Sequence, residues 1–565
     1  MPDRWWRGWL IALLPPVILV IMAPSLYAQR TLGARPSDSG GPLLAEQAAY
    51  DVKHYDLALR VNPAEQSITG TLEARALIVH PTAWFVLDLD EPLLVSAVAA
   101  VDEQGKEQPL SFERRGGRLW VAFSLTRQPG ETVRVRVSYG GKPRVAPKPP
   151  WVGGFVWAKT KDGQPWVSTA CQNDGADVWW PCKDHPSDEP DTMRLRITVP
   201  EPLACAANGR LEGVKANGDG TRTYNWFVST PINNYSVALN IAPYRTIEGK
   251  YQSVTGETVP VFFWVLPENY ESGQRLFPQI AEMIRFFEER LGPYPFRADK
   301  IGVAHTSHLG MEHQTVTAYG NNFQNNEDGF DWLLFHELGH EWWANQVTAG
   351  DWRDFWLHEG FQSYMDALYH GAKGGEESYH RHIAGLRRQL RNRQPVAPRE
   401  SRTSVQMYLA APDYVASDGD IYNKGAAVLH TLRHLIGDRA FFAALRRMAY
   451  PDAALERVTD GRQCRFATTD DFRALAERES GVKLDWFFEV YLRQPQLPRL
   501  VTEPREGGVM LRWEAPGGLP FPMPIEVSVG GQTRRVEMPQ GSVLLPVVAG
   551  EQLVVDARQW VLRGE

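Results

Sequence analysis

Residues 330–345 read FDWLLFHELGHEWWAN, and within them His336 and His340 stand four positions apart. On an α-helix that spacing stacks both imidazoles on one face, where they can grip a single cation. Leu333, Leu334, Leu338 and Trp342 recur at helical spacing behind Asp331, an N-cap residue type, so the whole stretch is predicted to form one helix with its metal-facing side buried. Two ligands do not complete a site. Glu359, separated from His340 by eighteen residues, adds a carboxylate oxygen from the first turn of a second predicted helix, HEGFQSYMDALYH at 358–370. Two histidines and one glutamate form the ligand set of a catalytic zinc ion whose fourth position is left for water. Glu337 is not needed as a ligand. It is free to take a proton from that water, whose pKa falls on the metal from about 15.7 toward roughly 7. One Zn²⁺ ion is therefore expected.

A glycine three residues and a histidine six residues beyond the second zinc histidine would mark a metzincin, but Trp343 and Gln346 stand there. The distant glutamate instead resembles the gluzincins. HELGHEWWANQVT followed by FWLHEGFQSY is similar to the core of the aminopeptidase N-like family of zinc metallopeptidases.

Three further segments extend the resemblance. HLGMEHQTVTAYG at 308–320 resembles the family's G-x-M-E-N edge strand. That likeness implies that Gly310 and Met311 run along the substrate backbone while Glu312 receives the substrate's N-terminal ammonium. An anion one residue's length from the metal favours substrates that begin with NH₃⁺ and so makes an exopeptidase. The pattern is departed from at Leu309, where the family's first glycine falls, and at His313, where its asparagine falls, which alters the close approach to substrate. DIYNKGAAVLHTLRHLIGD at 420–438 resembles the family's Y-x-K-G helix start and implies that Tyr422 stabilises an oxyanion, a contribution of about 3 kcal/mol for such donors. ACQNDGADVWWPCKDHPSDEPD at 170–191 is similar to the family's segment ending in proline, cysteine and a D-x-P turn. Gln172 there takes the place of a glutamate found in many members and of a glutamine in the family's bifunctional leukotriene hydrolase. It can accept a hydrogen bond from ammonium without adding charge. His305, His308 and His313 gather near the same strand, but their spacing is not a ligand pattern, and they are expected to be surface or hydrogen-bonded histidines.

The chain has 565 residues, 43% of them hydrophobic, enough for three or four domains. Its net charge is −7 and no long basic tract occurs, which argues against a nucleic-acid partner. Arg4 and Arg7 precede the apolar run WLIALLPPVILVIMAPSLYA, residues 9–28. This reads as a signal peptide, residues 1–28, cleaved after Ala28, which sends the protein to the periplasm or the cell exterior. The alternative is a membrane anchor over 9–28, since the run is close to the roughly 20 residues a bilayer needs; Pro15 and Pro16 interrupt its helix and favour cleavage. Four cysteines define no disulfide scaffold, and for the nearest pair, Cys171 and Cys182, a bridge and two buried thiols both stay open.

Alternating stretches such as YDLALRV, SITGTLEARALIV and VRVRVSY predict an N-terminal β domain over 45–245, which resembles the family's saddle of strands, with an exposed loop RVAPKPPWVGG at 144–154. From about Ile247 the period reads as helical, as in FPQIAEMIRFFEERLG, and residues 246–496 are assigned to a thermolysin-like, mostly α catalytic domain. Residues 497–565 return to strands and predict a small β-sandwich. The expected fold is thus multidomain α+β. Many relatives continue into a helical domain that roofs the active site, so a more open cleft, or one closed by another subunit, is expected here. The function these residues point to is zinc-dependent hydrolysis at the free N-terminus of peptides. The rivals are an endopeptidase or non-peptide hydrolase on the same site, encouraged by Leu309, His313 and Gln172, and a non-catalytic peptide-binding module with a structural zinc.

Overall fold

The structure, a computed structural model, describes residues 39–408, 418–548 and 550–564; the predicted leader at 1–28 lies outside them. The alternation read in the N-terminal third becomes three sheets, the smallest of which orders Thr82–Asp88, Arg118–Arg127 and Ser111–Arg115. Tyr50–Asn62 buries Tyr55, Leu57, Leu59 and Val61 and turns the intervening residues outward. It sits inside an eight-stranded sheet between Ser67–Ile78, which runs antiparallel to it, and Thr192–Pro200, which runs parallel with Leu195 opposite Leu57. A second sheet orders Ala204–Ala207, Leu239–Ala242, Pro165–Ala170 and Gly154–Lys159. Its strand Pro165–Ala170 ends two residues before Gln172, which fixes where that side chain enters the molecule.

Strands continue past residue 246, contrary to the helical period expected from Ile247. Arg245–Gln252 and Thr258–Val265 pair antiparallel, and the first long helix begins only at Tyr270. The cause is visible in TVPVFFWV, a run of β-branched and aromatic side chains suited to a pleated, buried surface. These two strands open a five-stranded sheet that continues through Ile301–His305 and Thr317–Tyr319 to Gly310–Met311 at its edge.

The helix predicted over 330–345 is also shorter than expected. It spans Trp332–Gly339, after which Asn345, Gln346 and Val347 donate backbone hydrogen bonds to the carbonyls of His340, Glu341 and Trp342, five residues back. Residues 341–349 are all buried. A straight helix would leave one side of that run facing solvent, whereas the widened turn packs both Trp342 and Trp343 inside.

The helix Trp356–Gly374 crosses Asp420–Ile436 at a pair of glycines. A Cβ on Gly360 would meet Gly425 Cα at 2.9 Å, so only glycines permit this approach. At the C-terminal end, two three-stranded sheets face each other: Arg499–Arg505, Gly508–Glu514 and Ser542–Leu545 against Gln532–Val536, Ile525–Val529 and Leu553–Val555. Leu511, Trp513, Ile525, Val527 and Leu545 are buried between them. This sandwich is tied to the Asp420–Ile436 helix through Thr431 Oγ1, which donates to Trp560 O at 3.0 Å and accepts from Leu562 N at 2.9 Å. Cys171 and Cys182 are buried free thiols. Among the described residues, no helix is long and apolar enough to cross a membrane.

Candidate metal centre and active site

Asp331 caps the Trp332–Gly339 helix by accepting from Leu334 N at 3.0 Å, which starts the turn that carries His336 and, at its C-cap, His340. The third ligand comes from the first turn of Trp356–Gly374. His336 Nε2 and His340 Nε2 lie 3.2 Å apart, and Glu359 Oε2 lies 3.7 Å from the first and 3.3 Å from the second. A tetrahedral ion with bonds of about 2.0–2.2 Å needs donor atoms about 3.3–3.6 Å apart, so the triangle has the right size for zinc. The outer nitrogens are already used: His336 Nδ1 meets Asp366 Oδ2 at 2.8 Å and His340 Nδ1 meets Trp343 O at 2.7 Å. Those contacts orient the rings and aim both Nε2 atoms at the same point. Glu359 Oε2 has no hydrogen-bond partner although it is buried, as befits an oxygen reserved for a cation.

The electrostatics agree. Burial pulls the His340 imidazole down, but the Glu359 and Glu312 carboxylates together outweigh it and lift the group to about 9. Burial likewise opposes protonation of His336, and Asp366 with Glu359 and Glu337 overcomes it. Glu359 is held low, because His340 and His336 outweigh its own desolvation. A site that draws in positive charge in this way suits a divalent ion, which displaces the ring protons when it binds.

Glu337 sits beside this triangle with Oε2 unpartnered, and burial pushes its carboxyl up to about 8. Gly310 packs directly on it, since a Cβ at that position would approach Glu337 Oε1 to 2.6 Å. Glu312, one residue past the edge strand Gly310–Met311, is buried rather than solvated, and its own carboxyl is raised by that burial. Glu312, Glu337 and His340 bring ligand-type atoms within 4.8 Å of one another. Glu312 Oε1 accepts from Tyr235 Oη at 3.0 Å and from Gln172 Nε2, whose amide also lies 3.3 Å from Glu359 Oε1. The N-terminal sheets therefore reach into the metal centre through Gln172. Tyr422 Oη donates to Glu359 Oε1 at 2.8 Å, and burial next to that carboxylate pushes the phenol well above its ordinary range, so it stays a neutral donor. Met311 is buried on the edge strand, opposite Ala318.

The structure thus brings together His336, His340, Glu359, Glu337, Glu312, Gln172 and Tyr422. It corrects the three neighbouring histidines. His305, His308 and His313 are buried, and neither nitrogen of His308 or His313 has a hydrogen-bond partner; burial holds these rings neutral, pulled down to about 4 and about 3. His305 packs edge-on against Trp166 and Phe323 instead of facing solvent. Three participants escaped the sequence reading. Asp366 follows Glu359 by seven residues, two helical turns on one face, and that spacing could have revealed it. Tyr235 and Tyr408 carry no local signal, because the contacts that bring them in are tertiary.

The chain matches the Peptidase family M1 domain over residues 277–491 and the Peptidase M1 N-terminal domain over residues 51–235. It is similar to an aminopeptidase N of Haemonchus contortus, 25% identical across 71% of this chain and 43% of that protein. It is also similar to a leukotriene A-4 hydrolase of Xenopus laevis, 24% identical across 74% of this chain and 67% of that protein. The chain spans about half the length of the curated relatives it matches. The crystal structure of an M1 zinc metallopeptidase from Deinococcus radiodurans superposes with a TM-score of 0.63 at 26% identity, covering 80% of this chain and 94% of that one.

Proposed function

The chain belongs to peptidase family M1, and from that premise we propose that it is a zinc aminopeptidase, removing residues from the free N-terminus of peptides. The observation that carries the proposal is the buried Glu312 carboxyl group standing beside Glu337 and His340, next to a metal triangle whose cation would favour its ionised form. His336, His340 and Glu359 would hold the zinc ion. When bound, zinc supplies Lewis acidity, polarising a carbonyl and acidifying water toward a pKa of roughly 7.

The remaining work falls to this chain's own side chains. Glu312 receives the substrate's ammonium, and the Gln172 amide supports it with neutral hydrogen bonds, so charge selectivity rests on Glu312. Gly310, with no side chain, leaves the edge strand free to lie against an extended peptide, a β-augmentation that Met311 continues. Glu337 accepts the proton of the attacking water through its unpartnered oxygen and returns it to the departing nitrogen. A cation beside Glu337 favours its ionised form and counters the burial that raises it. Tyr422 turns its hydroxyl from Glu359 to the developing oxyanion.

A panel of aminoacyl reporters, each with a free and an acetylated amine and each run with and without chelator, tests this reading. Hydrolysis is expected only for free amines and only without chelator. Equal hydrolysis of acetylated reporters would remove the amine clamp and leave an endopeptidase or another hydrolase. The apolar run before Ala28 supports export to the periplasm or cell exterior. A mature N-terminus after Ala28, read from protein isolated from its native host, supports cleavage; an intact leader in the membrane fraction supports anchoring by residues 9–28.

A further inference from the structure

We propose that Tyr408 is a positioning residue for the reaction, a second phenol that holds and polarises Tyr422. The inference rests on the oxyanion role given to Tyr422 above.

Tyr408 lies one residue beyond the short helix Ser404–Met407, and three contacts fix that helix in place. Thr403 and Gln406 form a capping box at its start. Ser404 Oγ donates to Asn173 O at 2.9 Å, tying the helix to the segment that carries Gln172. Gln394 Nε2 donates to Met407 O at 2.7 Å. The Tyr408 ring stands edge-on to Phe355 at 5.4 Å, and Phe355 immediately precedes the helix that bears Glu359. The phenol is buried and tethered both to the amine clamp and to the metal-ligand helix.

Its hydroxyl lies 2.6 Å from Tyr422 Oη, 3.3 Å from Glu359 Oε1 and 3.3 Å from Gln172 Oε1. A phenol has one proton to give. Both phenols reach Glu359 Oε1, Tyr422 at 2.8 Å and Tyr408 at 3.3 Å; the shorter contact takes the Tyr422 proton, so Tyr408 donates across the 2.6 Å contact to Tyr422 rather than to its two acceptors at 3.3 Å. The bonds then run in one direction, from Tyr408 to Tyr422 and from Tyr422 to its acceptor. Each bond in such a chain strengthens the next, so Tyr422 gives a better hydrogen bond than an isolated phenol would. When an oxyanion replaces Glu359 as the acceptor, the bond from Tyr408 persists. It keeps a lone pair of Tyr422 occupied and the proton pointed forward. A packing role alone would need only the ring, not a hydroxyl 2.6 Å from the catalytic phenol.

The test uses the full zinc-loaded chain with Tyr408→Phe, Tyr422→Phe and the double variant. For Tyr408→Phe, kcat on a free aminoacyl reporter is expected to fall about tenfold with KM within about twofold of the parent, the size of one well-placed hydrogen bond. Zinc content is expected to be unchanged. The Ki of a phosphinic peptide, a tetrahedral analogue of the transition state, is expected to rise about as much as kcat falls, while the Kd of the amino acid product stays constant. The ratio of those two affinities does not depend on the fraction folded, so a loss of stability leaves the test intact. The double variant is expected to be no slower than Tyr422→Phe alone, because the effect passes through Tyr422. A kcat for Tyr408→Phe within about twofold of the parent, or effects that multiply in the double variant, would overturn the proposal. A parental kcat in Tyr422→Phe would instead overturn the oxyanion assignment itself.

Discussion

Glu337 keeps a carboxylate oxygen without a hydrogen-bond partner inside a buried cluster, an arrangement that costs stability and makes sense where a reacting group is to fill it. Glu337→Gln preserves the shape of the side chain and leaves His336, His340 and Glu359 untouched. The variant is expected to retain one zinc per chain and to lose about a thousandfold in kcat, within the range for removal of a general base. Metal analysis beside steady-state kinetics checks this; a kcat within about tenfold of the parent contradicts the base assignment. The metal ligands and Glu337 were legible in the sequence because their chemistry is written locally, in a four-residue helical spacing and one fixed gap. Glu312, Gln172 and Tyr422 became visible through resemblance, since each sits in a recognisable segment. Tyr408 and Tyr235 were not legible: Tyr408 meets Gln172 across 236 positions of chain and Tyr235 meets Glu312 across 77, distances over which no periodicity carries information.

Between elements, the contact of Gly360 with Gly425 decides whether Tyr422 reaches Glu359. A methyl on Gly360 would sit 2.9 Å from both Gly425 Cα and Ile421 O, and backbone atoms give way less easily than a flexible side chain. Gly360→Ala is expected to destabilise the fold by about 1–3 kcal/mol, as overpacking does. It should also lower kcat, because the helix it pushes away begins with the turn bearing Tyr422. Thermal melts and kinetics on the same preparation test both halves of this statement, and a parental Tm and kcat would show that the crossing tolerates a methyl. Elements were misread where burial overrode local pattern. Two strands at 245–265 lie in what reads as a helical region, because their aromatic and β-branched residues are buried in a sheet. The helix of the zinc motif stops at Gly339, because the residues after it are buried on every side and a regular helix would have exposed some of them.

At the scale of the whole molecule, Glu189 lies buried where the N-terminal sheets meet the turn after the zinc motif, with one carboxylate oxygen unpartnered. Burial raises its carboxyl to about 8, against the pull of a hydrogen bond from Thr348. The ordinary value is 4.5, so below that pH the folded and unfolded chains are both protonated and Glu189 contributes no difference. Between 4.5 and about 8 the unfolded chain ionises while the folded one stays neutral, and stability falls as pH rises. The loss is complete above the folded value and is on the order of a few kcal/mol. Glu189→Gln is expected to abolish that part of the slope, leaving the variant more stable than the parent at pH 8 and no more stable at pH 4. Urea midpoints at the two pH values measure it, and a parallel pair of pH profiles would contradict it. The same junction explains something about Gln172. Its amide grows from one body and closes over carboxylates that belong to the other, so the pocket is a seam, like the parting line of a two-piece mould. A small slip along that line would spoil recognition while each half stayed intact, and mild denaturant should therefore silence the molecule before it melts it.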